Sequence, residues 1–206
     1  LGFEVKNDLR DTPTDEYSIP AYEYADKVDS KDAKWIFLPD LGRGEGCMGS
    51  DNVMAPSKAD GSGAKLEYDV SMTGRDIAIG ILPIQDVYPA RGMRIGVQID
   101  DQPIQIIDAR QGLHDEFQEY TRQNLAVSKV LKALPPHNDL LLSGWMNGQK
   151  LPRRDEVFDN LRWLSVSFDV KPGKHKLRVI MVDPEIVVEQ IVVNPDNKHY
   201  SYFGKK

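Results

Sequence analysis

Near the end of the chain, two short apolar runs, Leu177–Val182 and Ile186–Val193, stand apart by only Asp183–Pro184–Glu185. Pro184 fixes its own φ, lacks an N–H and drives Asp183 toward extended geometry, so no helix can pass through this point. Val and Ile on both sides favour the pleated state, and the segment reads as a strand, a tight reversal and a second strand, a closing hairpin. The rest of the chain has to complete a β structure around that unit.

Upstream residues supply the partners. Leu66, Tyr68, Val70 and Met72 alternate with Lys65, Glu67, Asp69 and Ser71, the period of a strand with one wet face. After the Thr73–Gly74–Arg75 turn, Ile77, Ile79 and Ile81 repeat the period, and the small Ala78 and Gly80 permit a close approach on the other side. Met93, Ile95, Val97 and Ile99 form a further strand, Ile104 and Ile106 another, and Leu164, Val166, Phe168 and Val170 one more. Tyr17–Tyr24 reads as an edge strand, because Pro20 removes a ladder hydrogen bond, and Trp35–Leu38 reads as a short buried strand. Such faces are stable only when two sheets cover each other, which predicts a mainly β fold, a β-sandwich. One stretch departs from it: Phe117, Tyr120, Val127, Leu131 and Leu134 fall at helical spacing, and Pro135–Pro136 ends the pattern. The organisation expected is a single domain over residues 1–206, with an N-terminal extension over 1–16. A helix and a long connection are inserted over about 112–160.

Composition removes several function classes. A net charge of −6 without clustered Lys or Arg argues against a nucleic-acid surface. No apolar run is long enough to span a membrane as a helix, and Leu1–Gly2–Phe3–Glu4 lacks signal-peptide character, so the chain reads as a mature part or an excised piece of something larger. The single cysteine, Cys47, allows no internal disulfide. Gly44-x-Gly46-x-x-Gly49 spells a dinucleotide fingerprint, but Pro56 and the missing helical period after it make it a Gly-rich turn between strands. The four histidines stand in no ligand spacing, and no Gly-x-Ser-x-Gly elbow is present. No cofactor is expected; a structural calcium held by scattered carboxylates and carbonyls would leave no sequence signature.

Several strings taken in order resemble one family. They are Ile19-x-Ala21-x-x-Tyr24, Trp35-x-x-Leu38–Pro39–Asp40–Leu41–Gly42–Arg43–Gly44, Leu66–Glu67–Tyr68, Ile81–Leu82–Pro83, Val97–Gln98–Ile99–Asp100–Asp101, and the closing His175 to Gly204. Together they resemble the C-terminal domain of glycoside hydrolase family 115, the xylan α-glucuronidases. Departures are Phe117 in place of the family's usual Trp, Glu185 in place of Gly, Lys205–Lys206 at the end and a longer stretch over about 133–160.

The resemblance implies a jelly-roll-like sandwich of the galactose-binding or carbohydrate-binding-module kind. It also implies a non-catalytic role, because the family's catalytic apparatus lies in another domain, so no residue here inherits a catalytic role. The intact parent would release glucuronic or 4-O-methylglucuronic acid from xylan. Partners implied are the catalytic domain of the same parent, a xylan-type polysaccharide and further copies of the enzyme. The location implied is secreted, periplasmic or cell-surface in a bacterium. An independent carbohydrate-binding module is the rival reading, to be recognised by exposed aligned aromatics; a large apolar patch would favour bracing.

Aromatic side chains supply the candidate contacts, since sugar rings stack on exposed Trp and Tyr faces beside amides and acids. Trp145, between Gly144 and Met146–Asn147–Gly148, is the leading candidate for contact with sugar or a neighbouring domain, with Asn147 beside it. The competing reading of Trp145 is a loop anchor. Trp163 shares a face with Ser165 and Ser167 and is the third candidate, whereas Trp35 reads as core. His175 reads as a hydrogen-bonded structural histidine.

Overall fold

The computed structural model describes residues 15–83, 91–110 and 160–195. Their eleven strands are β1 (Tyr17–Pro20), β2 (Asp26–Val28), β3 (Trp35–Pro39), β4 (Gly46–Ser50), β5 (Lys65–Met72), β6 (Asp76–Ile81), β7 (Arg94–Ile99), β8 (Gln105–Asp108), β9 (Arg162–Ser167), β10 (Gly173–Met181) and β11 (Val188–Val193). They make two sheets, one ordered β3-β4-β11-β6-β9 with β1 also on β11, the other β2-β5-β10-β7-β8, and every pairing is antiparallel. The expected β-sandwich is the fold. The stretch read as helical and the connection that follows it lie outside the described residues, as does most of the extension over 1–16.

Alternation decides which side chains meet between the sheets. Leu66, Tyr68, Val70 and Met72 of β5 are buried, as are Ile77, Ile79 and Ile81 of β6 and Leu164 and Val166 of β9. Two core polar atoms also have partners: the Tyr68 hydroxyl donates to the Ala21 carbonyl (2.7 Å) and Trp35 Nε1 to the Ala64 carbonyl (3.0 Å). Beyond the core, Gly80 pairs with Trp163, and a Cβ on Gly80 would stand 3.0 Å from the indole. Small residues on the outer face of β6 thus let Trp163 and Leu161 lie against the sheet, the close approach expected there. The sandwich is laced along both flanks, by Lys27 Nζ to the Trp35 carbonyl (3.0 Å) on one side and by Gln105 Nε2 to the Ser167 carbonyl (2.7 Å) on the other.

Three expectations need correction. The closing hairpin is not a hairpin: β10 lies at the centre of one sheet and β11 at the centre of the other, so Asp183–Pro184–Glu185 carries the chain between layers. Each run takes its ladder hydrogen bonds from other strands, β10 from β5 and β7, and β11 from β1, β4 and β6. Trp35–Leu38 is not a buried strand, because β3 is an edge strand on which Trp35 is buried while Ile36 and Phe37 are exposed. Finally, Ile107 packs against the core where Ile106 was expected, and Ile106 faces solvent.

A buried ionic cluster holds the crossing. Asp183, fully buried, accepts from Arg94 Nε (2.8 Å), Arg94 Nη2 (3.2 Å) and the Arg94 backbone N–H (2.8 Å). Arg94 Nη2 also donates to Ser57 Oγ (2.7 Å) and the Arg91 carbonyl (3.1 Å). Arg91 pairs with Glu185 at 2.9 Å and donates to the Val53 and Ala55 carbonyls. Together these bonds tie the crossing to the start of β7 and to the loop after β4.

Candidate functional site

Strands β1 and β4 divide one edge of β11 between them: β1 pairs with Gln190–Val193 and β4 with Val188. On the other edge, Val188 faces Ile81 and Gln190 faces Gly80, so Glu189 is the extra residue of a β-bulge. Bulges re-aim a side chain and leave it outside the regular ladder. Here the bulge sends the Glu189 carboxyl under the turn between β3 and β4, where it is only 6% exposed.

That turn is built to receive it. Gly42 adopts φ +86°, and a Cβ there would stand 2.7 Å from Cys47 Sγ and 2.8 Å from the Glu189 carboxyl carbon. Without side-chain bulk, the loop turns its amides inward, and the Arg43 N–H donates to Glu189 Oε1 at 2.6 Å, joined by the Gly44 N–H. Successive backbone amides form an anion nest, and the anion this Gly-rich loop takes is the chain's own carboxylate. The reading of the motif as a turn holds for Gly44, whereas Gly46 and Gly49 belong to β4. Burial pushes the Glu189 carboxyl above its ordinary range, against the pull of these amides and the Arg43 charge. Its second oxygen, Oε2, is buried and has no hydrogen-bond partner among the described residues.

Tyr22 helps to wall a small cleft beside the nest. Tyr22, just after β1, meets Phe37 edge-to-face, ring centroids 5.3 Å apart at 75°. Gly46 makes room, since a Cβ on it would lie 2.6 Å from the Phe37 ring. Phe37 is 45% exposed. Burial, then Glu45 and Glu23, push the Tyr22 hydroxyl upward, keeping it a neutral phenol. Pro20, Tyr22, Arg43, Gly44, Gly46, Glu189 and Gln190 bound a small open cleft of about 60 Å³.

A second surface lies beside it. Of the seven exposed large apolar residues described, Val28, Ile36, Phe37, Leu41, Val53 and Met54 come from β2, β3 and the loops after β3 and β4. Asp51 Oδ1 accepts from the Lys34 N–H (2.7 Å), and Asn52 Nδ2 donates to the Asp32 carbonyl (3.0 Å), binding the β4 loop to the β2–β3 turn. One flank of the sandwich therefore carries most of the exposed apolar surface.

The side chains with most intrinsic reactivity among the described residues, Cys47 and His175, are both held in structural contacts. The Cys47 thiol donates to the Leu41 carbonyl (3.1 Å), and burial, with the Glu189 charge, pushes it up to about 12, which makes it inert. His175 is held at both nitrogens, by Asp100 Oδ2 (2.7 Å) and the Lys171 carbonyl (2.8 Å), which makes it the structural histidine expected. No group of three or more His, Cys, Asp or Glu side chains among the described residues is placed to hold a metal ion. Trp163 is half-buried over Gly80 on the outer face of the first sheet, and Trp145 and Asn147 lie outside the described residues. Of the three sequence candidates, Trp163 falls among the described residues. Tyr22, Phe37 and Glu189 were not singled out from the sequence; three glycines at alternate positions, Gly42, Gly44 and Gly46, were the available sign of a close backbone approach.

The two antiparallel sheets define this chain as a β-sandwich domain. The chain belongs to the glycosyl hydrolase family 115 C-terminal domain family, whose model matches residues 14–206. Among solved structures it is similar to a family GH115 4-O-methyl-α-glucuronidase with specificity for decorated arabinogalactans. That match has 12% identity and a TM-score of 0.45, over 84% of this chain and 18% of that one. It is also similar to the C-terminal family 6 carbohydrate-binding module of a laminarinase from Zobellia galactanivorans (11% identity, TM-score 0.44, 86% of this chain and 97% of that one). A family 35 carbohydrate-binding module from Clostridium thermocellum matches at 7% identity and TM-score 0.42, over 86% of this chain and 95% of that one. This chain thus spans under a fifth of the glucuronidase. None of the curated proteins matches it in sequence. No helix among the described residues is long and apolar enough to cross a membrane.

Proposed function

We propose that this chain is the accessory sandwich of a larger xylan α-1,2-glucuronidase and braces the catalytic domain of the same polypeptide. The observation that carries the reading is the apolar flank. Six of the seven exposed large apolar residues described sit on one side of the sandwich, beside a wet, charged face on β5 and β10 where Arg178 pairs with Glu67 at 2.7 Å. Exposed apolar side chains gathered along one flank favour an interface there. The occupant is the remainder of the parent chain, because the family is defined as a C-terminal domain of a glycosyl hydrolase. Such a parent acts on polymers outside the cell, so a secreted, periplasmic or cell-surface location goes with this reading. Trp145, Trp163 and Asn147 are proposed as further contacts, to glycan or to the neighbouring domain.

Val53 and Met54 are 51% and 62% exposed, so replacing both by Glu leaves the sandwich intact while charging the flank. In the intact parent, the two portions should melt together, and the double variant should split the transition in two. A single, unshifted transition in the variant refutes bracing by this surface. The chain alone should release no uronic acid from glucuronoxylan fragments; turnover abolished by one Asp or Glu substitution would overturn the non-catalytic assignment.

A further inference from the structure

The charged face beside the apolar flank holds a feature that bracing leaves unused. An open trench of about 510 Å³ crosses the ends of β5 and β10, well inside the range for small-molecule sites, roughly 300–1,000 Å³. Alternation turns Asp69 and Ser71 of β5 and Lys174 and Lys176 of β10 outward, away from the buried Tyr68, Val70 and Leu177. Register sets Ser71 against Lys174 and Asp69 against Lys176. Half-buried Tyr17 walls one side. Its strand, β1, pairs with β11 in the first sheet, yet the Ser71 N–H of the second sheet donates to the Tyr17 hydroxyl at 2.6 Å. Tyr17 meets β5 where that strand has run past β2, whose pairing with it ends at Glu67. Asp100, just after β7, walls the other side.

Most of these groups are held before any ligand arrives. Asp100 accepts from the Lys176 N–H through Oδ1 (2.9 Å) and meets His175 Nδ1 through Oδ2 (2.7 Å). The Lys176 ammonium lies 3.5 Å from Glu67 and 3.7 Å from Asp69. Side chains fixed in this way lose less freedom when a ligand binds. A carboxylate offers about four acceptor sites and an ammonium three donors, so both keep capacity to spare. Lys174 is exposed, and the Asp69 side chain keeps 77% of its surface in contact with water.

We infer that this trench binds a neutral saccharide, its hydroxyls bonded to Asp69, Asp100, Lys174 and Lys176 and one C–H face set against Tyr17. The chemistry selects the class. Two lysines and two aspartates line the trench, so their charges balance and an ion of neither sign is singled out. His175, which also lines it, is spent on Asp100 and the Lys171 carbonyl. Acceptor, donor and acceptor follow one another from Asp69 through Lys176 to Asp100, which suits a ligand whose every hydroxyl both donates and accepts. Tyr17 adds a flat apolar surface, and a sugar ring offers its counterpart. Bracing draws on Val53, Met54 and their apolar neighbours and on none of these residues, so failure of either reading leaves the other standing.

The test follows the backbone amide resonances of Ser71 and Lys176, which donate to Tyr17 and Asp100, while xylotriose, lactose and D-glucuronate are titrated into the ¹⁵N-labelled chain. At least one neutral saccharide should shift both amides saturably, and glucuronate should bind no more tightly. Asp69→Ala and Lys174→Ala, both at exposed positions, should each weaken binding by about tenfold with an unchanged melting temperature. That is the loss expected for one charge-assisted hydrogen bond. Replacing Val53 and Met54 by Glu, the change that tests bracing, should leave saccharide binding as it is. Three results would each overturn the inference. One is no saturable shift with either neutral saccharide up to about 100 mM, where even millimolar-grade sites fill. The second is glucuronate binding more tightly than both neutral probes, and the third is binding that survives both substitutions.

Discussion

Separating Arg94 from Asp183 should destabilise the sandwich unequally, depending on which partner is removed. Asp183 is fully buried, whereas the Arg94 side chain keeps 28% of its surface in contact with water. Arg94→Met preserves the apolar stem but strips two donors from the carboxylate, leaving it the Arg94 backbone N–H. A buried charge deprived of its partner costs about 3–5 kcal/mol, and the remaining amide contact places this case near 3. Asp183→Asn removes the opposite charge, but the guanidinium left behind still reaches solvent, Ser57 Oγ and the Arg91 carbonyl. Its cost should be smaller, about 1.5–2.5 kcal/mol, the range for hydrogen bonds to charged groups. The double variant should be less destabilised than the sum of the two, with a coupling of about 1.5 kcal/mol or more. Urea unfolding of the four proteins measures all three quantities, provided the slopes agree. If Asp183→Asn costs more than Arg94→Met, or if both stay under about 1 kcal/mol, the crossing is not held by a desolvated ion pair.

Three further outcomes are expected. Phe168→Ala should cost about 3–5 kcal/mol because the ring is buried, while Ser167→Ala, losing only an exposed bond to Asp76, should stay within about 1 kcal/mol in the same unfolding assay. Gly42→Ala should destabilise by about 2 kcal/mol or more, combining left-handed backbone strain with collision against Cys47 and Glu189, whereas Gly44→Ala, with open space around it, should be nearly silent by thermal melting. His175 is pushed above its ordinary value, first by its bond to Asp100 and then by the Lys171 carbonyl, so its stabilisation is fully present below about pH 6.5 and fades as pH rises through the raised value. The melting-temperature difference between the native chain and His175→Gln should therefore be larger at pH 6 than at pH 9; a constant difference would contradict the charged pairing.

How far the sequence revealed all this depends on whether each element has one wet face. Strands β5 and β9 were legible because Glu67, Asp69, Ser165 and Ser167 mark the solvent side of each. β11 is buried at every position, so its run carries no mark of which strand it pairs with, and proximity in sequence suggested the wrong partner. Ile106 and Ile107 are the same residue type, and alternation could not choose between them. β4, with Gly46, Cys47, Met48, Gly49 and Ser50, has weak β character and takes its shape from pairing with β3. Glu189 was hidden for a different reason. An acid between Val188 and Gln190 looks solvent-facing, and a bulge, which buries it, has no sequence signature of its own.

Because β10 and β11 are the middle strands of their two sheets, neither layer can close before residues 173–193 have been made. Until residues 173–193 leave the ribosome, β5 and β7 lack the strand between them, as do β4 and β6. The earlier strands would wait as unpaired, apolar-faced segments, the state most prone to misassociation, and contacts such as Tyr17 with Val193 close the longest loops last. A ribosome stalled before His175 should carry a nascent chain as protease-sensitive as an unfolded one, and protection should arrive in a single step once β11 has emerged.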